Sequence, residues 1–242
     1  MSIQINIFDH PGWNPFAQFG LTHDFFHVDT GTVVETWLCL GILLLVCLAF
    51  KLLQNKQNKF IQALYKCLNF FVLMTNDALG KYDRNITIFI AYLFTFIITC
   101  NCLSLIPLLE EPTSNINTTL ALGTIAVIYV QITAVKKNGL RNYLKSYFEP
   151  FFFLFPLNIL GNISTVVSLS FRLFGNIIGG SIITYLLRYF LGGIIFRETL
   201  GLIFGVNLLA TAYFVIFDGI IQAFVFSMLT VTYIALELQD EE

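Results

Sequence analysis

Residues 150–187 read PFFFLFPLNILGNISTVVSLSFRLFGNIIGGSIITYLL, and Arg172 is the only charged side chain in that run. A guanidinium stays protonated inside proteins, so it cannot escape an apolar setting by losing its charge. Placing one near the middle of a bilayer costs about 3 kcal/mol on insertion scales and more by simulation. A charge held there usually faces a partner or a water-filled path and marks where ions or protons move. The alternative is an arginine that snorkels to a headgroup or pairs structurally.

Composition widens this reading from one segment to the chain. Of 242 residues, 57% are hydrophobic and 12% charged, against about 25% charged in soluble domains. The chain is therefore expected to be an all-α polytopic membrane protein, a single domain over residues 1–242. Its net charge of −2 argues against a nucleic-acid partner and leaves the lipid bilayer as its surroundings. Cys39, Cys47, Cys67, Cys100 and Cys102 lack zinc-type or paired-disulfide spacing and read as small buried hydrophobes. His23 and His27 have helical ligand spacing but no third ligand, so neither a metal site nor a cofactor is expected. Residues 1–32 contain no Lys or Arg and no early apolar core, which is not the pattern of a cleavable signal peptide.

Spanning the hydrocarbon takes about 20 apolar residues as a helix. Such runs cover 33–53, 86–109 and 118–135. Between the first two, residues 54–84 place Phe60, Leu64, Cys67, Leu68, Phe71, Met74 and Ala78 at helical spacing, with Lys56, Lys59, Lys66 and Asp77 on a polar side. That pattern predicts an amphipathic helix on the membrane surface. The last two apolar stretches, 150–190 and 199–236, exceed one upright span, so each is either a helical pair or one long, tilted helix. The expected total is about five membrane-embedded helices plus the surface helix. Ten basic residues fall in two loops: Lys51, Lys56, Lys59, Lys66, Lys81 and Arg84 in one, Lys136, Lys137, Arg141 and Lys145 in the other. The positive-inside rule puts these loops inside, the N-terminal segment outside and the C-terminus inside. Arg188 and Arg197 run against that assignment.

Arg172 belongs to a stripe. Steps of three or four residues meet Asn158, Gly161 or Asn162, Thr165, Ser168, Arg172, Asn176, Gly179 or Gly180, and Thr184, one small and polar helix face. The opposite face carries Phe155, Ile159, Val166, Leu173 and Ile177. Small residues let another membrane helix approach closely. A second polar pair, Asp218 and Gln222, stands one helical turn apart, extended by Asn207 and Thr211. Burial raises a carboxylate pKa and a nearby cation lowers it. Asp218 thus suits a proton relay, or else pairs with Arg172 or Arg197 or sits among headgroups.

Ser168-Leu169-Ser170-Phe171-Arg172-Leu173-Phe174-Gly175-Asn176, followed by Gly179-Gly180, resembles the arginine motif of subunit a of F-type ATP synthases. Ile221-Gln222-Ala223-Phe224-Val225-Phe226 and Pro156-Leu157-Asn158 resemble two further elements of that family. The likeness covers essentially residues 30–240. It implies a subunit of the F0 sector that abuts a rotating ring of c subunits, contacts the peripheral-stalk subunit b and works indirectly with the F1 sector. It also implies two proton half-channels. Arg172 takes the place of the essential arginine separating them, Gln222 that of the glutamine facing it across the paired long helices, and Asn176 that of the channel-lining asparagine. Asn158 and Ser181 join them as expected path residues. Ser181, Val215, Gly161 with Asn162, and Ser104 stand where the family often has an acid or histidine, and Asp218 is the candidate replacement. The implied setting is a bacterial plasma membrane, with a mitochondrial or plastid membrane as the alternative. The competing function is an ion-coupled secondary transporter or an antiporter-like subunit of a respiratory complex. Internal repeats or lysine–glutamate pairs within spans would favour those, and the sequence has neither.

Overall fold

A computed structural model describes residues 30–53, 59–103, 111–147, 153, 155–193 and 213–239. These residues form helices and short connections, with no strand among them. Helices α1 (Thr30–Leu53), α2 (Lys59–Leu79), α3 (Arg84–Leu103), α4 (Ile116–Asn138), α5 (Leu140–Ser146), α6 (Phe155–Gly193) and α7 (Gly219–Gln239) follow in chain order. A 3₁₀ turn, Pro112–Ser114, precedes α4, and a π-helical turn, Tyr213–Asp218, leads into α7. Among the described residues, five helical segments are long and apolar enough to cross a membrane: Thr30–Leu52, Arg84–Leu103, Ile116–Lys137, Phe155–Ile183 and Ile216–Leu238. The protein is an all-α polytopic membrane protein.

Local chemistry sets the helix ends. Gly80 closes α2 at φ 69°, a left-handed conformation open to glycine. Asp83 then starts α3, its Oδ1 accepting from the Asn85 amide at 3.0 Å. Its other oxygen lies 3.2 Å from Lys137 Nζ, tying the start of α3 to the end of α4. Asn115 caps α4 by accepting from the Asn117 amide at 3.0 Å. Gly139, at φ 83°, separates α4 from α5.

Helix α4 lies between α6 and α7 and packs along both, whereas α6 and α7 touch each other only briefly. The central cluster joins Leu93 and Ile97 of α3, Ala126 and Val127 of α4, Leu169 and Leu173 of α6, and Ala223 and Phe226 of α7. A second cluster fastens α2 through Phe71 and Met74 to Ile86, Ile90, Val130, Val231 and Ile234. Thr75 of α2 and Thr87 of α3 share a buried hydrogen bond of 2.8 Å. Lys66 and Asp77 are exposed, but so are Cys67 and Leu68 of the expected apolar side. A third cluster seats Cys39 and Leu43 of α1 on Phe96, Cys100 and Leu103.

Gly123 of α4 sits directly against α6. A Cβ there would collide with Ser170 Oγ and stand 3.0 Å from the Val166 carbonyl oxygen. Helix approach at this crossing depends on the missing side chain, in keeping with small-residue packing between membrane helices.

The cysteine expectation is corrected in part. Cys39 and Cys100 are buried, but Cys47, Cys67 and Cys102 are exposed. In an apolar helix both the lipid-facing and the protein-facing sides are hydrophobic, so an apolar neighbourhood in sequence does not distinguish them. Of the expected extents, residues 1–29, 54–58, 104–109, 150–152, 154 and 199–212 lie outside the described residues, as do His23, His27, Ser104, Arg197, Asn207 and Thr211.

Candidate functional site

The site is built on α6. Leu169, Ser170 and Leu173 are buried against α4 and the core, which turns the following and preceding positions outward. Asn158, Gly161, Ser164, Ser168, Phe171, Arg172 and Gly175 are exposed, and Asn162, Thr165, Asn176, Gly179 and Gly180 are half-buried. The small and polar stripe thus forms the outer surface of the helix and its flank. Val166, Leu173 and Ile177 of the opposing face turn inward, although Ile159 is exposed.

Arg172 makes no ion pair and no hydrogen bond with any described residue. With a 1.5 Å rise per residue, it lies about 26 Å from the start of α6 at Phe155. A fixed positive charge therefore stands on an outward face of a membrane-length helix, ringed by Ser168, Phe171 and Gly175. Such a charge needs a counter-charge from a partner or from water.

Gln222 is placed differently. It is 7% exposed, facing inward with Ala223, Phe226, Ser227 and Thr230 along α7. Its Nε2 is buried and meets no acceptor among the described residues. An unpaired buried amide donor costs about 1–3 kcal/mol, and a side chain kept at that cost is a functional candidate. Beside it, Asn101 of α3 donates to the Gly219 carbonyl at 3.3 Å. Asp218 closes the π turn one turn before Gln222 and is half-buried. Among the described residues no hydrogen bond or ion pair joins Arg172, Asp218 and Gln222. π turns of this kind are frequent at functional sites.

The remaining expected path residues divide. Asn176 is half-buried without a described hydrogen-bond partner, so its amide stays available. Ser181 is exposed, and its hydroxyl donates to the Ile177 carbonyl of its own helix at 2.8 Å. Asn158 donates through Nδ2 to the Tyr147 carbonyl at 3.1 Å. Gln131 and Tyr147, unmarked in the sequence, bond Asn162 where α4, α5 and α6 converge, and Tyr143 bonds both of them. Their contact comes from tertiary packing, and no spacing in the chain announces it. Among the described residues no three His, Cys, Asp or Glu side chains converge as metal ligands.

Residues 33–235 match the family described as ATP synthase A chain. The chain is 37% identical over 209 residues to ATP synthase subunit a of Moorella thermoacetica, covering 84% of this chain and 88% of the relative. It is 33% identical over 214 residues to ATP synthase subunit a of Desulforamulus reducens, covering 84% and 78%. With ATP synthase subunit a of Streptococcus agalactiae serotype III it shares 31% identity over 197 residues, covering 78% and 80%.

Proposed function

The chain belongs to the ATP synthase A chain family, and on that premise we propose that it forms two proton half-channels against a rotating c-ring. The observation that carries this reading is Arg172, exposed on the small-residue face of α6 with no described counter-charge. A ring carboxylate passing through lipid must be neutral, because an unpaired buried charge is prohibitive. Beside Arg172 the anion is favoured, since a nearby cation lowers a carboxylate pKa by about 1–3 units. The proton leaves by one half-channel, the carboxylate moves past, and it is reprotonated from the other. Arg172 repels protons between the two channels and keeps them separate. Each proton crossing 100 mV releases about 2.3 kcal/mol, which biases rotation and couples proton flow to ATP synthesis.

The same reading places the chain in a bacterial plasma membrane with its peripheral-stalk and F1 partners. The bundle end bearing Lys136, Lys137, Arg141 and Lys145 lies inside, by the positive-inside rule. Asn176, Gln222 and Asp218 line the path, Gln222 with a spare donor. Ser181, its hydroxyl engaged by its own helix, contributes little to the path. The test uses a chain whose five native cysteines are replaced, carrying a photoactivatable maleimide at S168C or, separately, at S170C. Ser168 is exposed, whereas Ser170 is 0% exposed. In assembled complex the first should capture ring subunits and the second should not. Capture at neither position, or equally at both, would contradict the proposed interface.

Asp218 is the one acid in residues 213–236. Asp218→Asn should slow pumping by about 100-fold or more, the low end for loss of a proton-transferring group, while Asp218→Glu retains part of the rate. Parental pumping by the asparagine variant from pH 6 to 8 would make the residue structural.

A further inference from the structure

At the end of the bundle that carries the basic loop, three elements bring neutral polar side chains into a closed cycle. Gln131 of α4 donates through Nε2 to Asn162 Oδ1 of α6 at 3.1 Å. Asn162 Nδ2 donates to the Tyr147 hydroxyl at 2.5 Å. Tyr147, just past α5, donates in turn to Gln131 Oε1 at 3.3 Å. Tyr143 supports the cycle from α5: its hydroxyl also donates to Gln131 Oε1 and lies 2.6 Å from that of Tyr147. The bonds fix which way both carboxamides point, since each oxygen accepts and each nitrogen donates.

The cycle is half-buried, so it meets the chain's surface as well as its packing. A purely mechanical clamp between α4 and α6 already exists at Gly123 and Ser170. A half-buried cycle of donors and acceptors that reaches the surface has polar atoms on which water can be bound. It also lies on a route. Asn158, Asn162 and Thr165 share the helix row that continues to Arg172, while Lys136, Lys137 and Arg141 mark the aqueous end.

We infer that the Gln131–Asn162–Tyr147 cycle forms the mouth of the inner half-channel, with Tyr147 as the positioning residue that holds the Asn162 amide toward the proton path. This rests on the half-channel reading above and gives one of its two channels a location and a composition. The mouth is built from neutral groups. Burial, and then the Tyr147 hydroxyl, push Tyr143 well above the usual phenol range, so it stays protonated at working pH. Glu237 of α7 is the carboxylate whose charge Tyr143 feels, and Lys137 is engaged with Asp83.

The test measures passive proton flux per assembled complex in F1-stripped vesicles, with inner pH varied from 4 to 8, for Tyr147→Phe, Asn162→Asp and Arg172→Ala beside the parent. Tyr147→Phe should lower the flux about two- to tenfold, the weight of one hydrogen bond. Asn162→Asp should add a titration step absent from the parent, its effect on flux lost as inner pH falls through the new carboxylate's pKa. Parental flux and pH profile in both variants would overturn the inference. So would a Tyr147→Phe chain that merely assembles poorly while Asn162→Asp keeps the parental profile. If Arg172→Ala, assayed with F1 retained, keeps ATP-driven pumping coupled at the parental rate, the half-channel reading itself fails. If Arg172→Ala uncouples while the other two stay parental, only the assignment of the mouth fails.

Discussion

Arg172→Ala should abolish ATP-driven proton pumping while the complex still assembles. The side chain is exposed and bonded to no described residue, so its removal leaves no cavity and orphans no partner within the described chain. On the proposed reading, what disappears is the cation that makes a passing carboxylate give up its proton. Without it that carboxylate's pKa rises by about 1–3 units, or about 10- to 1,000-fold in its ionised fraction. Arg172→Lys should also lose most coupled pumping. An ammonium lacks the planar fork and deprotonates more readily in an apolar setting. Pumping assays on inverted vesicles, normalised to assembled complex, provide the check. Parental rates in Arg172→Ala would refute the role.

A second large effect is expected at Gly123, acting through assembly rather than chemistry. Gly123→Val places a branched side chain into Ser170 Oγ and the Val166 carbonyl. The serine hydroxyl already donates to that carbonyl at 2.7 Å, and a backbone oxygen within a helix cannot step aside. Overpacking of this kind costs about 1–3 kcal/mol where side chains can yield, and more where backbone is met. Separating α4 from α6 would also open the cluster of Ala126, Val127, Leu169 and Leu173. Little intact complex should therefore be recovered from membranes, whereas Gly123→Ala should retain more. Full recovery of the valine variant would show that this crossing is loose.

The contrast between Arg172 and Gln222 shows what was legible in the chain. An arginine amid a run of small residues at helical spacing announces a polar face, because period and cost are both written locally. The outward direction of that face, and the inward direction of Gln222, were not legible. In a membrane helix both sides are apolar, so burial depends on neighbours far away in sequence. The same holds for Cys47 and Cys102, which lie in apolar runs yet are exposed. The cycle of Gln131, Tyr147 and Asn162 depends on the crossing of α4 and α6, some thirty residues apart in the chain. The π turn at Tyr213–Asp218 contains neither proline nor glycine, and the one glycine beside it, Gly219, lies inside the apolar run that continues as α7. Helix starts are more local in origin: Asp83 and Asn115 each accept from a backbone amide two residues ahead, the ordinary use of such residues.

The claim that Arg172 keeps two half-channels apart is most directly tested by passive proton conductance in F1-stripped vesicles whose ring is locked to this subunit by a crosslink. With the ring unable to turn, a parental chain should pass almost no protons, because neither channel alone crosses the membrane. Arg172→Ala under the same lock should leak, since nothing then repels a proton moving from one channel to the other. Equal, background conductance in the two locked complexes would contradict the account.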